Sequence, residues 1–398
     1  MTKYAILGFG TVGGGLAEVM EAEKEKIASV AGDELELGYI LVRRDQPDSP
    51  WKDKLVKDFA VIENDPEVSV VAEVIGGVGA AYEYSRRALM AGKSVVSSNK
   101  ELVATHGLEL AALAKEHGVS YLFEGSVGGG IPLLRPLCRC LAANRIDEIY
   151  GILNGTTNYI LTAMEEQGQD FAEALKKAQE LGYAEADPTA DVEGIDACRK
   201  TAILADLAFG HNMDPAKIPT MGITAVTAVD LELANALGYT VKLLGRAART
   251  EDGCCAFVEP HLVPLSYTLA SIRGATNSCA IRGSAVGEVI FCGPGAGRHP
   301  TASAVAADIA DAVRHRGNPQ IPDLGKAGGV LAPVAELACR WYVRADASPQ
   351  EVHAIFPDTR IIYGSSQECG FITGSMTRGE LEPLAAAVNG SAFYRVFA

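Results

Sequence analysis

Asp196 and Lys200 stand four residues apart in Gly194-Ile195-Asp196-Ala197-Cys198-Arg199-Lys200-Thr201-Ala202-Ile203-Leu204. On a helix that spacing stacks them on one face with the acid toward the N-terminus, the better orientation for an ion pair. The residues that follow, Thr201-Ala202-Ile203-Leu204-Ala205, read as a helix packed into the interior, where an ammonium must be paired or lose its proton. A lysine so placed trades a proton near neutral pH, so the pair predicts acid/base chemistry at Lys200. On an exposed helix the same spacing makes only a solvated pair.

Glycines mark a second chemistry. Tyr4-Ala5-Ile6-Leu7 is a short apolar strand that runs straight into Gly8-Phe9-Gly10-Thr11-Val12-Gly13, and the helical Leu16-Ala17-Glu18-Val19-Met20 follows. Between strand and helix, GxGxxG predicts a dinucleotide site: Gly8 makes the turn, Gly10 lets a pyrophosphate approach, and Gly13 packs helix on strand. Backbone N–H groups at the helix start then face the phosphates. Arg43-Arg44 closes the second strand where NAD sites usually carry an acid, which favours a 2′-phosphate and NADP; Asp45 just beyond keeps NAD open. Gly76-Gly77 ends an apolar strand where backbone can approach the nicotinamide half. Ser97-Ser98-Asn99-Lys100 ends another, so Lys100 either points toward the reacting end of the cofactor or opens a helix as an exposed lysine.

The elements that must hold these groups alternate. Strands are expected at 37–42, 68–75 and 94–97, with helices near 81–91 and 101–117, the pattern of an α/β fold with a doubly wound parallel sheet. A chain of 398 residues is too long for one core, so two or three domains are expected.

Composition excludes several classes. Lys and Arg number 35 against 50 Asp and Glu, a net charge of -15 with no basic run, so nucleic acid and anionic membrane surfaces are poor partners and small metabolites remain. The nine cysteines are scattered without a two-pair ligand spacing, and read as buried or incidental thiols of a reducing compartment. No leader and no membrane-spanning stretch is visible, so a cytoplasmic protein is expected.

The middle of the chain makes the reading specific. Glu124-Gly125-Ser126-Val127-Gly128-Gly129-Gly130-Ile131-Pro132, Gly151-Ile152-Leu153-Asn154-Gly155-Thr156-Thr157-Asn158-Tyr159-Ile160-Leu161 and Leu181-Gly182-Tyr183-Ala184-Glu185-Ala186-Asp187-Pro188 precede the Asp196–Lys200 helix. In this order, and with the N-terminal fingerprint, they resemble homoserine dehydrogenase from residue 1 to about residue 330. The resemblance implies reversible NAD(P)-linked interconversion of L-homoserine and L-aspartate 4-semialdehyde. It places Lys200 on the family's proton-transferring lysine and Lys100 on a second active-site lysine by the nicotinamide. Glu185 and Asp196 fall on substrate-binding residues, and Asp191 on another acid of the site. Phe9, Thr11, Val12, Arg43, Gly76, Gly182 and Gly297 fall on cofactor-contacting positions. A monovalent cation, usually sodium, is implied at backbone oxygens of Glu124, Val127, Gly129 and Ile131; a hinge between domains is the other reading of that glycine-rich loop.

The chemistry agrees with the residues. Oxidising an alcohol to an aldehyde needs a hydride acceptor and one base, and the carboxylates of Glu185, Asp191 and Asp196 suit a substrate ammonium. Two competing readings are an NADP-binding sensor without turnover and a dehydrogenase for another amino-acid semialdehyde. Aspartate-semialdehyde dehydrogenase would need a nucleophilic cysteine, and none stands in a recognisable motif.

The expected organisation is a Rossmann-type domain over 1–130 completed by 296–320, an α+β substrate and dimerisation domain over 131–295, and a linker over 321–335. Residues 336–398 then read as strand, helix, strand, strand, helix, strand, a small ferredoxin-like domain that resembles an ACT module. Its first turn, Ala345-Asp346-Ala347-Ser348-Pro349-Gln350, lacks the glycine that usually opens an effector pocket, so a role in assembly is expected rather than threonine feedback. A homodimer or homotetramer is expected.

Overall fold

The computed structural model describes all 398 residues except 252, 329, 330, 358, 364–367 and 398. The chain opens with β1 (Thr2–Leu7), α1 (Thr11–Ala22), α2 (Lys24–Ala31), β2 (Leu35–Leu41), β3 (Leu55–Val56), α3 (Phe59–Asn64), β4 (Val68–Glu73), α4 (Gly79–Met90), β5 (Ser94–Ser97), α5 (Lys100–Glu116) and β6 (Tyr121–Leu122). The six strands form one sheet in the order β3-β2-β1-β4-β5-β6, and all paired neighbours run parallel. Strand order reverses between β1 and β4, which opens a crevice at their carboxyl ends, the place where such sheets take ligands. β1 is buried almost throughout, as a central parallel strand covered on both faces must be.

The strand expected over 68–75 stops at Glu73. The amide of Ile75 turns back to donate to the Glu73 side chain at 2.7 Å, and the ladder ends there. The next span continues with β7 (Ile146–Ile152), α6 (Gly155–Gln167), α7 (Phe171–Glu180), α8 (Thr189–Val192), α9 (Ile195–Phe209), β8 (His211–Asn212) and α10 (Ala228–Ala236). It is followed by β9 (Tyr239–Thr250), β10 (Gly253–Pro264), β11 (Thr276–Gly283), β12 (Gly287–Pro294), α11 (Arg298–Arg314) and β13 (Lys326–Ala327).

The chain divides into two compact units: Met1–Ile146 with Ala202–Ala216 and Arg282–Gly329, and Asp147–Thr201 with Lys217–Ile281 and Val330–Ala398. The first unit centres on Ile6, Leu16, Ile40, Val70 and Val96, against which Val305 and Ile309 of α11 pack. Apolar faces of strand and helix thus close on one another, the main favourable term in holding the parallel sheet together.

In the second unit the strands run β11-β7-β9-β10, and β9 and β10 pair antiparallel from Tyr239↔Pro264 to Thr250↔Gly253. The sheet continues into the C-terminal elements β14 (Trp341–Ala345), α12 (Pro349–Ile355), β15 (Ile361–Tyr363), β16 (Cys369–Ile372), α13 (Arg378–Ala386) and β17 (Gly390–Val396). These strands lie in the order β17-β14-β16-β15 with antiparallel neighbours, the ferredoxin-like arrangement of a βαββαβ run. The second of these strands is expected over 359–364, of which residue 364 lies outside the described residues.

β17 also pairs parallel with β10 at His261↔Arg395 and Leu262↔Val396. The buried Arg395 forms an ion pair with Glu259 of β10 and lies over the Trp341 ring at 4.5 Å. One sheet therefore runs from β11 through β10 into the C-terminal elements. Among the described residues no helix is long and apolar enough to cross a membrane.

Candidate active site

The helix expected around Asp196 and Lys200 is α9, and burial of its face puts both side chains out of water. Asp196 is 3% exposed and Lys200 6%. The Lys200 Nζ donates to Asp196 Oδ2 at 2.7 Å and to the Leu153 carbonyl at 2.8 Å. Leu153 lies just past β7, so strand and helix hold the amine between them. An ammonium taken out of water persists when a carboxylate and a carbonyl replace its hydration, and an amine so enclosed can take and return a proton. The solvated surface pair is excluded by this burial.

Asn154 was not among the residues singled out from sequence, yet it organises the acids. It caps the N-terminus of α6, its Oδ1 accepting from the Thr157 amide at 2.8 Å. Its Nδ2 donates to Asp191 Oδ1 at 2.7 Å and to Asp196 Oδ2 at 2.9 Å. One amide therefore bridges two carboxylates while Asp196 holds Lys200. An asparagine before a helix is an N-cap signal, but the signal does not name the carboxylates.

Asp191 is partly buried and Glu185 is exposed. The Glu185 carboxylate has no hydrogen-bond or ion-pair partner among the described residues, while its carbonyl accepts from Gln179 Nε2 at 3.1 Å. Gly182 follows α7 with φ 76°. Just beyond, the Tyr183 ring lies tilted against Tyr159 with centroids 4.9 Å apart, and its carbonyl accepts from Thr156 Oγ1 at 2.6 Å. The loop between α7 and α8 thus carries Gly182 and Glu185 at the surface on a braced base.

The GxGxxG turn has the geometry its glycines require. A Cβ on Gly13 would lie 2.0 Å from the Gly8 carbonyl oxygen, so only glycine lets α1 seat on β1. A Cβ on Gly10 or Gly76 would meet nothing within 4 Å, which leaves their backbone open to a ligand. A cavity of about 650 Å³ borders the turn, lined by Phe9, Gly10, Thr11, Asp45, Trp51 and Arg298 among others. Val12 sits in the first turn of α1, and Gly10 before it makes no side-chain cap hydrogen bond, so this helix start suits a phosphate. Arg43 is exposed and has no ion-pair partner among the described residues, whereas Asp45 pairs with Lys57 at 2.7 Å. Gly297, with φ 121°, is the N-cap of α11.

Lys100 is the first residue of α5 and is partly buried. Asn99 caps that helix, accepting from the Leu102 amide at 3.1 Å, and donates to the carbonyls of Ile75 at 3.0 Å and Gly77 at 2.7 Å. The strand-end turn that contains Gly76 is therefore tied to the helix that starts at Lys100.

The loop Glu124–Ile131 is buried apart from Gly130, and Gly128 and Gly129 have φ 77° and 55°, a left-handed pair that glycine adopts without strain. The Glu124 carboxylate accepts from the amides of Leu133, Leu134 and Arg135 at 2.6–2.9 Å. No described residue donates a hydrogen bond to the carbonyls of Val127, Gly129 and Ile131. Buried carbonyls without donors are rare, and hard cations take such oxygens, so these three are open to a cation, while the Glu124 carbonyl accepts from the Val127 amide at 3.4 Å.

Two family models match the chain: homoserine dehydrogenase, NAD binding domain, over residues 8–124, and homoserine dehydrogenase over residues 132–310. The homoserine dehydrogenase of Pseudomonas aeruginosa is 46% identical over 313 residues, which span 78% of this chain and 72% of that one. That of Lactococcus lactis is 41% identical over 317 residues, 78% of this chain and 74% of that one. Among solved structures, a homoserine dehydrogenase from Thiobacillus denitrificans superposes with a TM-score of 0.91 at 35% identity, covering 100% of this chain and 98% of that one. A hyperthermophilic archaeal homoserine dehydrogenase in complex with NADPH gives a TM-score of 0.66 at 28% identity over 78% of this chain and 97% of that one.

Proposed function

This chain belongs to the homoserine dehydrogenase family, and from that premise we propose how its residues divide the reaction. The enzyme is an NAD(P)-linked oxidoreductase that interconverts L-homoserine and L-aspartate 4-semialdehyde. When bound, the nicotinamide supplies the hydride acceptor. Lys200, as the neutral amine, takes the proton of the substrate hydroxyl while the carbinol carbon loses its hydride, and it becomes the ammonium that Asp196 stabilises. In the reverse direction the same ammonium returns the proton to the forming alkoxide.

Glu185, Asp191 and Asp196 bind the substrate ammonium, and Asn154 holds the latter two acids in register. Lys100 stands by the nicotinamide end. Gly8 to Gly13, Gly76, Gly182 and Gly297 offer backbone to the dinucleotide, with Phe9, Thr11 and Val12 at the turn. The unpaired Arg43 favours a 2′-phosphate, so NADP is the preferred cofactor and NAD is also accepted. Carbonyls of Glu124, Val127, Gly129 and Ile131 would hold a sodium ion, whose charge steadies the buried loop. The C-terminal module is ACT-like in topology and serves assembly of a homodimer or homotetramer rather than threonine feedback.

The observation that carries this reading is the buried Lys200 ion-paired to Asp196 within a chain that matches the family along both units. A spectrophotometric assay of homoserine oxidation with NADP and with NAD, with and without added sodium, tests it. Homoserine-dependent cofactor reduction, faster at low cofactor with NADP, is expected. No turnover with either cofactor would refute the reading.

A further inference from the structure

Glu73 is a buried acid to which the reaction scheme above gives no part. It ends β4, is 0% exposed, and no cation among the described residues pairs with it. Its Oε2 accepts from Ser97 Oγ, at the end of the neighbouring β5, at 2.6 Å, and its Oε1 accepts from the Ile75 amide at 2.7 Å. Ser97 Oγ in turn accepts from the Asn99 amide at 3.0 Å, and the Asn99 side chain returns to the carbonyls of Ile75 and Gly77. The bonds close a ring: Glu73 to Ser97, Ser97 to Asn99, Asn99 to Ile75, and Ile75 back to Glu73. A Cβ on Gly8 would lie 3.1 Å from Ile75 Cγ1, so the glycine turn packs on the same loop.

We propose that Glu73 is a positioning residue for the nicotinamide half of the site: through Ser97 and Asn99 it fixes the Ile75–Gly77 turn against the first turn of α5, and thereby places Lys100. The ring joins the carboxyl ends of two neighbouring parallel strands at the crevice where the sheet takes its ligand. Both donors to Glu73, a hydroxyl and an amide, match a carboxylate; the protonated acid has only one free acceptor oxygen and must turn its own O–H on Ser97. Burial raises this carboxyl to about 7, so both forms occur near neutral pH. Among the titratable groups of the elements packed around it, buried Tyr121 of β6 feels its charge, α5 carries Lys100, Glu101 and His106, and α11 carries the buried Asp308. The inference rests on the reading that Gly76 and Lys100 face the cofactor.

Glu73→Gln, Ser97→Ala and Lys100→Ala in the full chain test it, by steady-state kinetics with NADP and homoserine varied in turn across the pH range around 7. Glu73→Gln is expected to raise the cofactor KM about tenfold and leave the homoserine KM within about twofold. The gap between wild type and Glu73→Gln should narrow as pH falls below about 7, because the wild-type carboxyl then carries its own proton. Ser97→Ala should raise the cofactor KM in the same way, and carries the test if Glu73→Gln does not fold. A cofactor KM unmoved in these variants beside an impaired Lys100→Ala overturns the inference alone, as does an equal rise in both KM values. Unchanged kinetics in Lys100→Ala overturn the reading it rests on, and the inference with it.

Discussion

Lys200 and Asp196 are joined at 2.7 Å one helical turn apart, and both are buried. A carboxylate that close favours the ammonium form, while alcohol oxidation needs the amine free to accept a proton. Asp196→Asn removes the negative charge. The acid limb of the kcat/KM profile for homoserine oxidation should therefore move to lower pH, with a fall in the maximal value of at least about tenfold. An acid limb unmoved by the substitution would show that Asp196 does not set the charge of the site.

Asn154→Ala leaves Asp191 and Asp196 without the amide that bridges them and takes away the cap of α6. Loss of an N-cap alone costs about 1 kcal/mol of stability. The loss of register should raise the homoserine KM about tenfold or more while the cofactor KM holds. Equal changes in both constants, or a fall in stability with unchanged KM, would reduce Asn154 to a helix cap.

Asp206 predicts a pH dependence of stability. It is buried, accepting from the Met213 amide and from Asn212 Nδ2, both at 2.8 Å, and burial lifts its carboxyl from 3.8 to about 8. The folded chain keeps this proton where the unfolded chain has lost it. Its contribution is therefore full below about pH 4 and is lost as pH rises toward 8. Asp206→Asn cannot ionise, and a flipped Asn212 amide preserves both hydrogen bonds. Its Tm should fall less than that of the wild type between pH 5 and about pH 8.5 by calorimetry. Parallel declines would contradict the assignment.

Phe397 ties the last strand to β7 and β10 within the second unit. Its ring lies 4.8 Å from Tyr150 on β7 and 5.1 Å from Tyr267, and its amide donates to the Leu262 carbonyl at 2.8 Å. Phe397→Ala should cost about 3–5 kcal/mol in a denaturant titration. Turnover should drop with it, because β7 leads directly to the Leu153 carbonyl that holds Lys200. A variant with unchanged stability would mean that the ring contributes little packing.

What the sequence made legible was local. Gly8, Gly10 and Gly13 announced a strand–turn–helix because the turn chemistry lies within six residues, and Asp196 with Lys200 declared a helix face because they are four apart. The βαββαβ run at the C-terminus was readable for the same reason, element by element. Asn154 was hidden because its carboxylate partners lie 37 and 42 residues downstream. Glu73 looked like one more strand residue, since the serine that explains it is 24 residues on. The pairing of β17 with β10 was equally silent, because an edge-to-edge contact leaves no period in either strand.

The central claim is that Lys200 carries the substrate proton, and the turnover of Lys200→Ala measures it most directly. Single-turnover and steady-state rates of homoserine oxidation should fall by about a thousandfold or more, while the cofactor dissociation constant stays within about threefold of the wild type. Turnover near the wild-type rate in that variant would contradict the account and move the proton to Lys100.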